Sequence, residues 1–395
     1  MNYLYIIQPE QQYLIHLLTA VLHKVQPQRA PQNMDWEKFY KLSAIHGVAN
    51  MVFFSIKELE EENKPPLDVM HNFQSAYKCA VAKEATQHIA VEQLLHDFEE
   101  NCIDSMPLKG YLIKYLYPSP DMRLMADIDI LFKKEQMKAV NKIMLELGFS
   151  LEHKGGNHDS YFKRPFLNIE MHQRLISEDT PYSAYLKKTW DRAVLKPGSK
   201  FIWQLTHEDF YIYQFIHLAK HYRSGGTGIR SVMDIWVYRR CYQDEMKWDY
   251  IQEELKKIAL LEFSKNICGL GDMWFSNGQT KELYSEMTDY IFSSGAYGTH
   301  KRSTISSMCM QTDKKVFIGK GSYWLRLLFP KPKSLKYSFP ILDKRLFLLP
   351  IFWVIRGVNC LLFERRKMLQ KLKNVHSVSE EDISSMKDRY KRVGL

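Results

Sequence analysis

Three acidic residues in the first half of the chain have a spacing suited to binding a divalent cation. Asp127 and Asp129 alternate with isoleucines, which is the period of a β-strand. Because successive side chains of a strand point to opposite faces, the two aspartates share a face, with α-carbons roughly 7 Å apart. Glu170 also lies between two apolar residues in a strand-like segment. If the two strands are neighbours, the three carboxylates converge, and a cation would relieve their repulsion.

Oxygen ligands of this kind favour Mg²⁺ (or Mn²⁺), whose coordination is usually completed by water and substrate phosphates. We therefore predict Asp127, Asp129 and Glu170 as metal ligands, with Asp129 and Glu170 also acting in catalysis. Glu170 is either the third ligand or the general base that takes a hydroxyl proton. The alternative is ordinary solvated strand residues, since an Asp-x-Asp pair is common on exposed strands.

Residues upstream of the acids are suited to holding phosphate. A strand over 103–108 and a helix over 111–117 would meet at Gly110, where the backbone N–H groups at the start of a helix can approach an anion. Lys109 and Arg123 would neutralise a bound triphosphate, Arg123 with two parallel hydrogen bonds. The alternative for the Lys-Gly pair is a simple turn.

A second candidate region surrounds the glycines at 225–228, which precede a predicted helix from about Ile229. A glycine-rich loop that leads into a helix is a suitable anion site. The alternative is a tight turn between helices with a surface ion pair between Arg230 and Asp234. Lys220 and Arg230 are predicted nucleotide contacts. The secondary candidates here are His217, Lys220, His221 and Arg230.

The segments around these residues predict an α+β fold, in which a small mixed sheet with helices lies between helical regions. In the core, a helix over 133–148 precedes strands over 149–153 and 160–163, and His158 and Asp159 are predicted loop residues. The predicted divisions are an N-terminal helical region (1–101), the core (102–175), a helical substrate or acceptor region (176–300) and a basic, partly apolar helical region (301–395).

The net charge of +10 favours polyanionic partners, namely nucleotide, nucleic acid or an anionic membrane surface; the equally weighted alternative is a solvated basic surface with no partner. The excess lies in the C-terminal region, because residues 301–395 contain 21 Lys and Arg against 7 Asp and Glu.

The apolar stretch 345–363 contains Pro350 and Arg356 and is too short to predict a transmembrane segment. It either packs on the rest of the protein or lies along an anionic membrane surface, flanked by basic residues such as those of 364–367. The polar tail from His376 is predicted to be a frayed helix.

Six scattered cysteines show no spacing typical of metal ligands, which indicates reduced thiols. The N-terminal residues have neither a basic start nor a small-residue cleavage site, so we predict no signal peptide. Together these features predict a cytoplasmic protein, with the membrane-associated alternative left open by the C-terminal region.

The motifs between residues 108 and 172 resemble the polymerase-beta-like nucleotidyltransferase superfamily, and more closely the bacterial uncharacterised nucleotidyltransferase family. The motifs are Leu108-Lys109-Gly110, Tyr117-Pro118, Arg123, Asp127-Ile128-Asp129-Ile130-Leu131 and Glu170-Met171-His172. The resemblance implies that Asp127 and Asp129 are metal ligands and that Glu170 is the third acid. Tyr111 departs from the superfamily, which has serine or glycine after the first glycine.

The resemblance implies an enzyme that moves an NMP from an NTP to a hydroxyl acceptor. The acceptor class stays open among a protein, a small metabolite, a sugar and an RNA end. The alternative is a catalytically inactive binding module with the same fold, in which Tyr111 replaces the serine contact to phosphate. A nucleic-acid binder is a weaker third alternative, because the basic balance suits it but no recognition motif is evident.

Overall fold

The computed structural model describes residues 8–176, 180–296, 298–309, 325, 328–332, 335, 339–343, 345–363 and 375–395. The chain forms two compact units. The first comprises Met1–Leu218 and Gly228–Ala296, and the second comprises Ala219–Thr227 and Tyr297–Leu395.

Four helices precede the sheet in the first unit: α1 (Pro9–His23), α2 (Trp36–Ile45), α3 (Ala49–Ile56) and α4 (Leu67–Glu100). Asp35 caps α2, because its side chain accepts a hydrogen bond from the Lys38 backbone N–H at 2.9 Å. The 34-residue helix α4 buries an apolar stripe near its C-terminal end. This stripe covers one face of the sheet that follows.

The sheet has five strands: β1 (Ser105–Pro107), β2 (Ile128–Phe132), β3 (Ser150–His153), β4 (His158–Lys163) and β5 (Leu167–His172). Their spatial order is β1-β2-β5-β4-β3. The strands β2 and β5 pair in parallel, and the other neighbours pair antiparallel. The mixed sheet confirms the predicted α+β class.

Alternation along β2 and β5 separates an apolar face from a polar one. Ile128, Ile130, Ile169 and Met171 are fully buried and form one hydrophobic cluster with residues of α4 and of α6 (Met137–Glu146). Burial of each such side chain is worth about 1.5–3 kcal/mol, which fixes the register of both strands. The opposite face of the sheet therefore presents the acidic side chains.

Three local predictions differ from the structure. The helix predicted over 111–117 is divided into the four-residue α5 (Gly110–Ile113) and a 3₁₀ turn over Lys114–Leu116. His158 and Asp159, predicted as loop residues, belong to β4, because the strand pairs with β5 as far as His158 opposite His172. The region from 176 also contains a two-stranded sheet, β6 (Ala193–Leu195) and β7 (Trp203–Leu205).

Two short helices precede this small sheet in the chain, and the remaining helices follow it. They are α7 (Ser183–Leu186), α8 (Thr189–Arg192), α9 (His207–Ser224), α10 (Ile229–Tyr242), α11 (Trp248–Lys257), α12 (Leu261–Phe275) and α13 (Glu282–Phe292). Helix α9 begins in the first unit, and its last turns belong to the second.

The second unit contains α14 (His300–Cys309), α15 (Leu349–Phe363) and α16 (Glu380–Val393). Helix α16 begins with a capping box between Ser379 and Asp382 and packs against α14. Its residues Ile383, Met386 and Tyr390 are buried. The prediction of a frayed helix after His376 is therefore wrong, because an apolar stripe anchors this polar segment.

The apolar C-terminal stretch is packed on one side only. Trp353 donates a hydrogen bond to the Pro330 carbonyl oxygen at 3.0 Å, and Phe352 packs against Phe339. Val354 and Ile351, in contrast, are 66% and 54% exposed. The predicted basic flank at 364–367 lies outside the described residues. Within the described part of the chain, no helix has both the length and the apolar character needed to cross a membrane.

Candidate active site

The parallel pairing of β2 with β5 brings two of the predicted acids together. Asp129 lies directly opposite Glu170, and both side chains point away from the apolar cluster. On the far side of β5, Ser160 lies opposite Glu170 and His158 lies opposite His172. Because cross-strand partners share a face, these side chains form one polar row across three strands.

Asp129 is the most enclosed of the three acids, with only 4% of its surface exposed. One of its oxygens, Oδ1, accepts hydrogen bonds from Lys109 Nζ and from His172 Nε2, each at 2.7 Å. Burial disfavours the carboxylate form, but the Lys109 ammonium and the His172 hydrogen bond outweigh burial and hold the pKa of Asp129 below its usual range. Asp129 is therefore a carboxylate at neutral pH.

Lys109 reaches Asp129 from a backbone conformation that non-glycine residues rarely adopt. Its φ is 49° with ψ at −124°, which costs about 1–3 kcal/mol. Burial disfavours its charge, but the Tyr213 hydroxyl of α9 and the Asp129 carboxylate outweigh burial and raise the pKa of Lys109. The strained residue thus delivers a fixed positive charge to the acidic face.

Asp127 precedes β2 by one residue and is exposed. Its carboxyl group nevertheless lies near other carboxylates, since partial desolvation and the charges of Asp129 and Glu170 raise its pKa. Burial is the largest cause of this raised pKa, and repulsion from the other two acids adds to it. A bound cation would relieve this repulsion, so the oxygen donors fit Mg²⁺ or Mn²⁺.

Glu170 lies between two histidines. Its Oε1 is 3.5 Å from His158 Nε2, and its Oε2 is 3.3 Å from His172 Nε2. Burial raises the pKa of Glu170, but the hydrogen bond from His172 and the charge of His158 outweigh it and give a net lowering. Burial likewise disfavours a charged His172, but its bonds to Asp129 and Glu170 raise its pKa.

Arg123, predicted to bind phosphate, forms an ion pair with Asp234 of α10. Its Nε and Nη2 donate to the two oxygens of Asp234 at 3.1 and 2.7 Å, and Tyr117 donates to the same carboxylate at 2.7 Å. Gly110 permits this pair to form, because a Cβ atom there would lie 2.8 Å from Arg123 Nη1. The structure thus gives both Gly110 and Arg123 a role in packing, and their predicted phosphate contacts stay predictions.

Tyr111, the departure from the superfamily motif, is only 4% exposed and belongs to the hydrophobic cluster under the sheet. Its hydroxyl group donates a short hydrogen bond to Glu92 of α4, and its ring lies 4.5 Å from Lys114 Nζ. The side chain therefore packs into the core.

The residues predicted around the glycine-rich loop are divided between the two units. Arg230, in the first turn of α10, donates to the Leu124 carbonyl oxygen at 2.5 Å, and that oxygen also accepts from Arg123 Nη1 at 2.8 Å. His217 lies one turn after Tyr213 on α9, with ring centroids 6.2 Å apart. Lys220 and His221 belong to the second unit.

The sequence reasoning missed several residues that the structure brings to the acidic face. They are His158 and Tyr213; in addition, Lys83 interacts electrostatically with Asp127. Burial lowers the pKa of Lys83 on α4, and the charges of Arg230 and Asp127 also act on it. Tyr213 lies on an apolar helix, where no local pattern separates it from core tyrosines. His158 was detectable only from the register of the β4–β5 hairpin.

A cavity of about 200 Å³ lies next along the same face of the sheet. It begins at Leu131, two residues after Asp129, and is bounded by the segment after β5 and by α7 and α8. Its walls are mixed, with Leu186 and Trp190 beside Arg174 and Lys187.

Comparison with known proteins links this arrangement to an enzyme class. A family model described as "Uncharacterised nucleotidyltransferase" matches residues 32–276, a range that includes the sheet and both α9 and α10. One similar solved structure is the solution structure of the antibiotic-resistance factor ANT(2'')-Ia, with 12% identity and a TM-score of 0.34, covering 46% of this chain and 98% of that one. The comparison with curated proteins found no match.

Proposed function

Because the chain belongs to the uncharacterised nucleotidyltransferase family, we propose that it is a metal-dependent nucleotidyltransferase that moves an NMP from an NTP to a hydroxyl acceptor. The observation that carries the proposal is the pairing of Asp129 with Glu170 on one face of the sheet. Asp127 would add a third carboxylate, and the charges of Asp129 and Glu170, together with burial, raise its pKa.

Asp127, Asp129 and Glu170 would hold the metal. When bound, Mg²⁺ supplies charge neutralisation and orientation of the phosphate oxygens. Lys109 Nζ, fixed near Asp129, would contact a phosphate oxygen as charge develops on it. Lys83, which interacts electrostatically with both Asp127 and Arg230, and Arg230 itself are further candidates for neutralising the triphosphate.

In the proposed reaction the acceptor oxygen forms a bond to the α-phosphorus, and the bond to the bridging oxygen of pyrophosphate breaks. Glu170 accepts the hydroxyl proton when it is not engaged as the third ligand. Pyrophosphate leaves with the electron pair of the broken bond. The acceptor class stays open among protein, metabolite, sugar and RNA.

The test is pyrophosphate release from each NTP with Mg²⁺, with RNA, sugars and the chain itself offered as acceptors. Asp127→Asn and Asp129→Asn should each reduce turnover by at least about a hundredfold. Glu152→Gln is the matched control, because Glu152 is an exposed acid on β3 of the same sheet. Equal turnover in the wild type and both aspartate variants would refute the proposal.

A specific observation favours a second candidate, an inactive binding module. Asp129 Oδ1 is occupied by two donors, and Arg123 is paired with Asp234. If these pairs persist when nucleotide binds, the site holds an NTP without consuming it. Calorimetric NTP binding without pyrophosphate release would support this candidate, and multiple turnover would exclude it.

A further inference from the structure

We propose that His158, Glu170 and His172 form a binding site for a divalent transition metal ion of the zinc type, which shares Glu170 with the three-carboxylate set and adds two imidazole ligands. Each residue offers one ligand atom, and the three atoms lie within 4.8 Å of one another. The inference concerns metal binding and does not require that the chain transfer nucleotides.

The backbone enforces this cluster. His158 and His172 are direct cross-strand partners in the β4–β5 pairing, so their side chains share a face. Glu170 precedes His172 by two residues on the same strand and therefore shares that face as well. The two imidazole centroids lie 4.8 Å apart. The strand register therefore places all three side chains on one face of the sheet.

The distances suit a small, four-coordinate ion. The two histidine Nε2 atoms lie 3.5 and 3.3 Å from the oxygens of Glu170. Two ligands of a tetrahedral zinc ion are roughly 3.4 Å apart. Two histidines and one glutamate are also a donor set found in catalytic zinc sites, which keep one position open for water or substrate.

The chemistry of the donors separates this site from one for Mg²⁺. Magnesium takes oxygen ligands and gives up water reluctantly, whereas imidazole nitrogen favours zinc and related ions. Two of the three donors here are imidazoles. The set therefore selects a transition metal over Mg²⁺.

Metal binding would exchange one hydrogen bond for a metal–nitrogen bond. His172 Nε2 donates to Asp129 Oδ1 at 2.7 Å, and that proton would leave as the metal binds. Asp129 would keep Lys109 Nζ as a partner of the same oxygen. His172 Nδ1 has no hydrogen-bond partner among the described residues. The contacts of this ring with Asp129 and Glu170 are both made by Nε2.

The test uses untagged, full-length protein, stripped of metal and titrated with Co²⁺ as a spectroscopic substitute for zinc. We expect one equivalent to produce visible absorption bands that excess Mg²⁺ does not remove. His158→Asn should abolish the bands and weaken Co²⁺ binding at least about tenfold. His96→Asn, an exposed histidine on α4, is the matched control and should match the wild type. Bands that are absent, or unchanged in His158→Asn, would overturn the proposal.

Two further measurements keep the result unambiguous. X-ray absorption of the zinc-loaded wild type should show imidazole scattering, and sulfur ligation would refute the site even if His158→Asn failed to fold. Asp127→Asn should retain Co²⁺ binding while losing Mg²⁺-dependent turnover, because Asp127 is outside the cluster. Co²⁺ binding thus tests the metal-site proposal, and Mg²⁺-dependent turnover tests the transferase proposal separately.

Discussion

At the scale of single residues, burial decides which groups carry charge. Asp129 stays ionised because Lys109 and His172 both donate to it, whereas His46 of the first unit has no such compensation. His46 is fully buried, and its Nε2–H donates to the Phe292 carbonyl oxygen at 3.1 Å. Its Nδ1 has no hydrogen-bond partner within the described ranges. Burial accordingly lowers the pKa of His46 to about 4.

This lowered pKa predicts acid sensitivity of the folded state. His46 binds a proton near pH 6.5 in the unfolded chain but only near pH 4 in the folded chain. The free energy of unfolding is therefore unaffected by this group above about pH 6.5, and it falls as the pH drops from 6.5 towards 4. The loss from this residue should reach roughly 3 kcal/mol. Urea unfolding between pH 7.5 and 4.5 should show a smaller loss in His46→Gln than in the wild type.

The control for this prediction is His96→Gln, which alters an exposed histidine of α4. Its unfolding should follow the wild type across the whole pH range. A His46→Gln variant that loses as much stability on acidification as the wild type would show that His46 is not the group responsible.

At the scale of elements, local periodicity revealed the strands but not their partners. The alternation around Asp129 and Glu170 predicted β2 and β5, since each must bury one apolar face. It did not reveal that His158 continues β4, because the end of that strand is set by pairing with β5. The three-residue strands β6 and β7 are too short to show a period at all.

Ion pairs between residues that are far apart in the chain could not be predicted from local sequence patterns. Arg123 was predicted to bind phosphate because an arginine near acids suits that role, yet its guanidinium pairs with Asp234, 111 residues further along the chain. The sequence places Asp234 near Arg230 on one helix and carries no mark of its contact with the segment before β2. The role of Gly110 follows from that contact as much as from the helix it begins.

The packing between α5 and the Arg123–Asp234 pair predicts the effect of Gly110→Ala. The added Cβ would lie 2.8 Å from Arg123 Nη1 and 3.0 Å from Met125 Cγ. Moving the guanidinium weakens a buried ion pair, so we expect the free energy of unfolding to fall by roughly 1–3 kcal/mol, even without nucleotide. Chemical denaturation measures this directly.

The matched control is Gly271→Ala in α12 of the same unit, where the new Cβ would be in ordinary contact with Trp236 at 3.4 Å. This variant should be neutral or gain up to about 1 kcal/mol, because alanine favours a helix. If Gly110→Ala unfolds like the wild type, the close approach of Arg123 does not require a glycine at this position.

At the scale of the whole molecule, charge is distributed unevenly along the chain. The sheet and its acids belong to the first unit, whereas the excess of Lys and Arg lies after residue 300. In the second unit this excess accompanies an exposed apolar stripe, formed by Phe347, Ile351, Val354 and Val358. Ile351, Val354 and Val358 of α15 follow the helical spacing of i, i+3 and i+7 and so share one face, and Phe347 precedes them in a 3₁₀ turn.

An apolar helical face within a basic region suits an anionic lipid surface, where apolar side chains enter the headgroup boundary and basic ones attract the lipid charge. We therefore expect the full-length protein to bind vesicles of phosphatidylcholine with phosphatidylglycerol, and to bind less at high salt. Val354→Asp should weaken partitioning roughly tenfold, since it removes apolar burial and adds a repelled charge. Vesicle flotation measures the bound fraction.

The matched control is Ile89→Asp on α4, which places the same charge at an apolar residue that is 70% exposed in the first unit. If binding depends on the face of α15, Ile89→Asp floats with the wild type while Val354→Asp does not. Equal loss in the two variants would indicate a general effect of added negative charge. Undiminished flotation of Val354→Asp would remove α15 as the membrane contact.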